Sequence, residues 1–446
     1  MKKQKNKTNI ENFKPMTATL TLQDAIKEAG RCLLCFDAPC SKGCPAGTDP
    51  AKFIRQIRFE NFKGAARTIR NNNILGTTCS HICPVEKLCE QKCSALALED
   101  PINIAGLQRF ACEYGKTFEI ESLEAQPKTR GKIAVIGSGP AGMSCAAELA
   151  KSGYDVHIFE RRDRAGGVAQ YTIPRFRLPD SAVEYDTKNL SDLGVTVHYN
   201  TAITNTNALT SLLKDGHKAV FVSTGLTEPF SLQLIDGHKN VMSYMDFLSA
   251  VKNNNLRHDL KNKNVAVIGG GSVALDSANT AKALGAKNVY VISLEHLDEL
   301  PADAEEIRLG QLMHVIFKAG CQVTGMISAD DANVSVLVGQ EIEWKEPNNF
   351  TPQNARLVEG SGFQIKTDLI IQAIGTKTGQ ELKTMAPDLK TTGKGLIAVG
   401  DSFMTSIPSV FAGGDVVNGG KMVVAAVGEG KKAAQCIDQY IKGSRE

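Results

Sequence analysis

Lys132-Ile133-Ala134-Val135-Ile136-Gly137-Ser138-Gly139-Pro140-Ala141-Gly142 is an apolar run that ends in a Gly-x-Gly-x-x-Gly turn. A helix-like stretch follows to Lys151, then a second apolar run from Asp155 to Phe159, closed by Glu160. Buried strand, glycine turn, helix, strand and an acidic residue about twenty positions on make the full context of a dinucleotide fingerprint. The glycines allow a tight turn and let a pyrophosphate approach the helix N-terminus, while Glu160 stands where a ribose hydroxyl donates. This stretch predicts a doubly wound α/β unit around a parallel sheet.

Further along, Val410-Phe411-Ala412-Gly413-Gly414-Asp415 reads as a strand ending in Gly-Gly-Asp, with residues 421–440 helical behind it. That arrangement sets the Asp415 carboxylate on a ribityl chain and a helix N-terminus toward a flavin ring. Together with the first unit it predicts an FAD site, and Arg164-Ala165-Gly166-Gly167 fits the turn that passes under the isoalloxazine. Between these pieces lies a second complete unit: a strand from Val265, then Gly269-x-Gly271-x-x-Ala274, a helix, and a strand over 288–293. The repeat implies a second dinucleotide site. Its strand ends in Ser293-Leu294-Glu295, a carboxylate with no arginine to accept a 2′-phosphate, which favours NADH over NADPH. A solvent-facing Glu295 is the alternative. Ser223-Thr224-Gly225 and Ala373-Ile374-Gly375 read as strand ends where the chain crosses between the units, so the architecture is an FAD domain interrupted by an NAD domain. Neither unit contains Cys-x-x-Cys or Cys-x4-Cys, so a dithiol-exchange mechanism is not expected.

Upstream, eight of the twelve cysteines fall into two arrays. The first is Cys32-x2-Cys35-x4-Cys40-x3-Cys44-Pro45; the second is Cys79-x3-Cys83-Pro84 followed by Cys89-x3-Cys93. Disulfides suit small secreted domains rather than this chain. Structural zinc is a stronger rival, but only Cys32 and Cys35 have the knuckle spacing of a zinc ribbon. Closely spaced thiols ending in Cys-Pro are nearer the ferredoxin run, whose last cysteine serves the other cluster. By that logic Cys32, Cys35 and Cys40 begin one cluster and Cys44 joins the second array. Eight thiols match two four-ligand clusters, though Cys79 need not be a ligand. The isolated Cys112, Cys145, Cys321 and Cys436 read as small packing residues, and none of the eight scattered histidines is assigned a catalytic role.

Composition bounds the rest. The 446 residues are enough for roughly three domains, and a net charge of +3 argues neither for nucleic acid nor for an anionic membrane surface. Residues 1–7 are basic but run into polar Thr8, Asn9 and Glu11, so no secretory signal is expected, and no stretch approaches 18 apolar residues. The expected location is the cytoplasm.

Several short segments carry a resemblance. Arg31-Cys32-Leu33-Leu34-Cys35, Asp37-Ala38-Pro39-Cys40, Leu75-Gly76, Leu88-Cys89 and Pro101-Ile102-Asn103-Ile104 with Gly106-Leu107-Gln108 resemble the N-terminal region of dihydropyrimidine dehydrogenase. So does Ile173-Pro174-Arg175-Phe176-Arg177-Leu178-Pro179, a flavin-side loop in that family, and the similarity runs on to Asp415. Leu297-Asp298-Glu299 and Pro301 are shared with the separate NAD-linked subunit of the bacterial two-subunit enzyme. The glutamate synthase small subunit is similar more distantly.

The resemblance implies two [4Fe–4S] clusters in a helical N-terminal domain. One would be held by Cys32, Cys35, Cys40 and Cys93, the other by Cys44, Cys83, Cys89 and, unusually, Gln108, with Cys79 a bystander. It also implies Arg177 near the FAD. NADPH-specific relatives carry two arginines where this chain has Leu294 and Glu295. The expected domains are residues 1–128 for the clusters, 129–236 with 370–446 for FAD, and 237–369 for NAD. Cofactor-site candidates are Gly137, Gly139, Gly142, Glu160, Gly167, Arg177 and Asp415 for FAD, Gly269, Gly271, Ala274 and Glu295 for NAD(H), and Gly375 at the crossing between the two units. The single-chain relatives continue into an FMN-binding barrel that is not read in these residues. The resemblance therefore implies an FMN- and iron–sulfur-containing catalytic partner, in a heterotetramer, that reduces uracil or thymine with electrons fed from NADH through FAD and the clusters. Another NAD(P)H-dependent flavin and iron–sulfur subunit, or a zinc-stabilised assembly subunit, is the alternative.

Overall fold

A computed structural model describes residues 18–120, 123–328 and 335–443; the basic residues 1–7 lie outside them. The chain forms two compact units.

Of the described residues, the larger unit takes in 18–170, Arg175–Thr227 and 377–443. Its cysteine-bearing part is helical: Leu22–Gly30, Pro50–Arg58, Phe62–Asn72, Gly76–Ile82 and Ile104–Thr117 pack around Phe53, Ile54, Ile57, Ile69 and Leu107. Each of these buried side chains contributes about 2 kcal/mol through area removed from water. Thr21, Asp49, Asn61 and Asn103 cap four of the helices with side-chain oxygens that accept N–H groups three residues on. The cysteines sit mostly in the short turns between helices.

Beyond them a five-stranded parallel sheet runs in the order Val410–Ala412, His217–Val222, Lys132–Ile136, Asp155–Phe159, Thr196–His198. Its central strand is buried on both faces, as the unbroken apolar run demands. On one face the helices Pro140–Lys151 and Val423–Gly443 lie so close that a Cβ on Gly430 would stand 2.2 Å from the Ala141 carbonyl oxygen.

The smaller unit holds Glu228–Thr376 with Tyr171–Pro174. Its parallel sheet orders Val241–Ser243, Leu369–Gln372, Asn264–Ile268, Asn288–Ile292 and Ile316–Lys318. Helix Ser272–Ala283 follows the second glycine turn. An antiparallel sheet that the sequence reading did not contain follows: Cys321–Ser328 and Phe363–Thr367 flank Ser335–Trp344, and Ala355–Leu357 pairs with its far end. Among the described residues no helix is long and apolar enough to cross a membrane.

Candidate functional site

In the larger unit the first glycine turn is locked by its neighbours. Gly137 has φ +94°, and a Cβ there would lie 2.7 Å from the Ser223 carbonyl oxygen. A Cβ on Gly142 would lie 2.1 Å from the Gly137 oxygen, so helix Pro140–Lys151 rises directly against the turn. Ser223 Oγ donates to that same oxygen at 3.0 Å, a support no motif revealed. At Gly139, by contrast, an added Cβ would meet nothing within 4 Å, and this free space is what an approaching pyrophosphate needs. Glu160 is 6% exposed; its carboxylate accepts from Ser138 N–H and Oγ–H and from Arg162 N–H at 2.9, 2.5 and 2.9 Å. Gly167 faces the turn, with a Cβ there 2.9 Å from Gly139 Cα. Arg177 is half-buried in the turn before helix Asp180–Asp192.

Asp415 begins a short helical turn behind Gly414, and burial pushes its carboxyl above the usual range. Glu429, which the sequence reading missed, organises this turn from fourteen residues further on. Its carboxylate accepts Gly414 N–H at 2.8 Å and the Asn418 amide at 2.9 Å. The donor set and the open space at Gly139 fit an FAD.

In the smaller unit Gly269 has φ +131° and a Cβ there would lie 2.2 Å from the Ala373 oxygen, while Gly271 faces open space. Ala274 is fully buried beneath the turn. Glu295 turns back to the loop: a Cβ on Gly270 would sit 3.0 Å from its Oε2. Gly375, at φ +103°, follows strand Leu369–Gln372 and accepts from Phe230 N–H at 3.0 Å. This loop fits a dinucleotide with a carboxylate near its ribose.

The thiols gather into two sets. Cys32 is influenced electrostatically by Cys35 and Cys93, and Cys40 by Cys93 and Cys32; burial pushes Cys40 up to about 11. Cys35 also lines an open groove with Asp37, Lys42 and Lys52. Cys44, Cys83, Cys89 and Gln108 line one small cavity, with Cys79 beside them. Cys83 is raised first by its hydrogen bond to Cys79, and burial then Glu90 push Cys89 up to about 12. Gln108, 8% exposed, donates its amide nitrogen to the Gly76 carbonyl at 2.8 Å, so Oε1 is the atom with which it could act as a ligand. Among the described residues no three His, Cys, Asp or Glu side chains converge on one metal ion. A cubane spreads its ligands over separate irons, so donors ranged around a shared cavity are the arrangement that fits it. Buried thiols held protonated also mean that binding a cationic centre must release protons.

Two buried groups brace the second set. Asp186, from helix Asp180–Asp192, accepts Thr77 and Thr78 N–H at 3.3 and 2.8 Å, capping helix Gly76–Ile82 from outside the cysteine region. Burial pushes it up to about 6. Arg109 donates to the Ser80 carbonyl at 2.6 Å. Val424, on helix Val423–Gly443, forms part of the cavity wall. Nothing in the local sequence of Asp186 or Val424 marks either role.

Comparison with known proteins places these regions. Residues 9–120 match the family described as dihydropyrimidine dehydrogenase domain II, 4Fe-4S cluster. Residues 98–227 and 131–430 match pyridine nucleotide-disulphide oxidoreductase. The chain is 38% identical over 434 residues to NAD-dependent dihydropyrimidine dehydrogenase subunit PreT of Escherichia coli K12, covering 96% of this chain and 97% of that protein. It is 31% identical to the NADP(+)-dependent formate dehydrogenase subunit beta of Moorella thermoacetica, over 91% of this chain and 60% of that one. Lactococcus lactis thioredoxin reductase shares the fold at TM-score 0.54 and 21% identity, over 70% of this chain and 99% of that one. Mycobacterium tuberculosis FprA in complex with NADPH does so at TM-score 0.59 and 14% identity, over 72% and 86%.

Proposed function

The chain belongs to the family of the NAD-dependent dihydropyrimidine dehydrogenase subunit PreT, and on that premise we propose that it is the electron-input subunit of a dihydropyrimidine dehydrogenase. The observation that carries the reading is the shared helix Val423–Gly443. Its N-terminal side follows the Gly413-Gly414-Asp415 turn, and its Val424 walls the cavity of Cys44, Cys83, Cys89 and Gln108. When bound, FAD supplies the conversion of a two-electron hydride donor, NADH, into single electrons that two [4Fe–4S] centres can carry.

The protein's own part is positioning. The larger unit holds FAD through Gly137, Gly139, Gly142, Gly167, Arg177, Asp415 and Glu160, whose carboxylate is fixed by Ser138 and Arg162. The smaller unit holds NADH, with Glu295 accepting a ribose hydroxyl. Residues 1–128 hold the clusters. The second set is the inner one, against the flavin-side helix, and the first set borders the open groove at Cys35, from which a partner takes electrons. That partner is an FMN- and iron–sulfur-containing catalytic subunit that reduces the 5,6 double bond of uracil or thymine.

The test is NADH consumption by the chain mixed with such a subunit. Turnover driven by uracil, and stoichiometric iron, acid-labile sulfide and FAD in anaerobically purified protein, are the expected results. Turnover with 2-oxoglutarate plus glutamine, or with formate and NADP, in place of uracil would refute the assignment.

A further inference from the structure

Helix Val423–Gly443 presents Val424, Gly428 and Lys431 at spacings of four and three, so they share one face. That face meets the Cys44 loop. A Cβ on Gly428 would lie 2.3 Å from the Pro45 carbonyl oxygen, and Val424 reaches the cavity of the second thiol set. Lys431 crosses the same seam: its ammonium donates to the Ala46 carbonyl at 2.7 Å and to the Asn72 carbonyl at 2.5 Å. Ala46 is two residues beyond Cys44, and Asn72 closes helix Phe62–Asn72, whose dipole turns its negative end to the cation. Burial draws the ammonium's pKa below the ordinary lysine value, while Glu148 and Cys44 act in the opposite direction.

We propose that Lys431 is a positioning residue that both anchors the Cys44 loop to the flavin-side helix and sets the reduction potential of the second iron–sulfur centre. The proposal rests on the reading of Cys44, Cys83, Cys89 and Gln108 as that centre's ligands. Reduction adds one electron to the centre and breaks no bond. A fixed positive charge nearby therefore favours the reduced form and raises the potential, the more so because the surroundings are poor in water.

The experiment is an anaerobic redox titration of the full chain with dithionite, followed by electron paramagnetic resonance. Native protein is compared with Lys431→Gln, Lys431→Arg and, to identify the second centre's signal, Gln108→Ala. In Lys431→Gln the equilibrium of the second centre shifts about tenfold toward the oxidised form, a fall of about 59 mV for one electron. The first centre does not move, and Lys431→Arg keeps the native value. An unmoved second potential in Lys431→Gln with full iron content overturns the proposal. Should Lys431→Gln lose the centre altogether, Lys431→Arg decides: native iron content and potential uphold the role of the charge, and loss of either overturns it. Native protein lacking iron and sulfide would instead sink the cluster reading itself.

Discussion

Replacing Asp186 with asparagine should remove a pH dependence of stability whose size follows from the site. The carboxyl is 1% exposed, and burial raises its pKa from 3.8 to about 6 in spite of the Thr77 and Thr78 N–H groups it accepts. In the folded chain it therefore holds its proton over a range where the unfolded chain has lost it. Its contribution is fully present below pH 3.8 and is lost as pH rises through about 6. The whole loss is about 2.2 pH units times 1.36 kcal/mol, or roughly 3 kcal/mol. Integrating the two titration curves between about pH 5 and about pH 7.5 leaves roughly 1.4 kcal/mol of that within reach. Asparagine keeps an acceptor for Thr78 but cannot ionise. Relative to the native chain, Asp186→Asn should thus gain about 1.4 kcal/mol on going from the lower to the higher pH, whatever constant offset the altered hydrogen bonds add. His81 titrates over the same range with the opposite sign, since burial and then Arg109 lower it to about 4, but it is present in both proteins and cancels in the difference. The assay is urea unfolding under argon at the two pH values, followed by far-ultraviolet circular dichroism. A native-minus-variant difference that is the same at both pH values refutes the argument.

Gly428→Ala places a methyl group against the Pro45 backbone oxygen, which cannot rotate away. It should cost about 1–3 kcal/mol and lower iron per chain by one centre's share while flavin content holds; unchanged iron would contradict the close approach. Gly142→Ala drives a Cβ into the Gly137 oxygen, and protein purified with this change should carry little flavin by absorbance. Glu295→Ala removes the acceptor facing the second glycine turn. It should raise the KM for NADH by roughly 10- to 150-fold and leave NADPH nearly unaffected, in line with about 1.5–3 kcal/mol for a hydrogen bond to a charged group. An unchanged NADH-to-NADPH ratio in a dye-reduction assay would remove Glu295 from cofactor choice.

The two nucleotide turns were legible because their requirements are local. Gly137 and Gly269 adopt positive φ and lie against the backbone of the next strand end, Ser223 and Ala373, a constraint that only glycine satisfies. The antiparallel sheet over residues 321–367 was not legible. The inward positions of Ser335–Trp344 include Ser335 and Gly339, and Cys321–Ser328 breaks register between Val323 and Gly325, so apolar alternation is weak. The chemistry on offer is written along the chain: thiols in two arrays, two glycine turns, each with its carboxylate, and the order of the domains. Which donors share a cavity, and what supports them, follows from how distant helices pack together. Lys431 meets Ala46 and Asn72 across 385 and 359 residues, and Asp186 meets Thr78 across 108. A glycine turn is written into a few neighbouring residues, whereas the partner of a buried charge is whichever distant carbonyl or N–H the packing of helices brings to it.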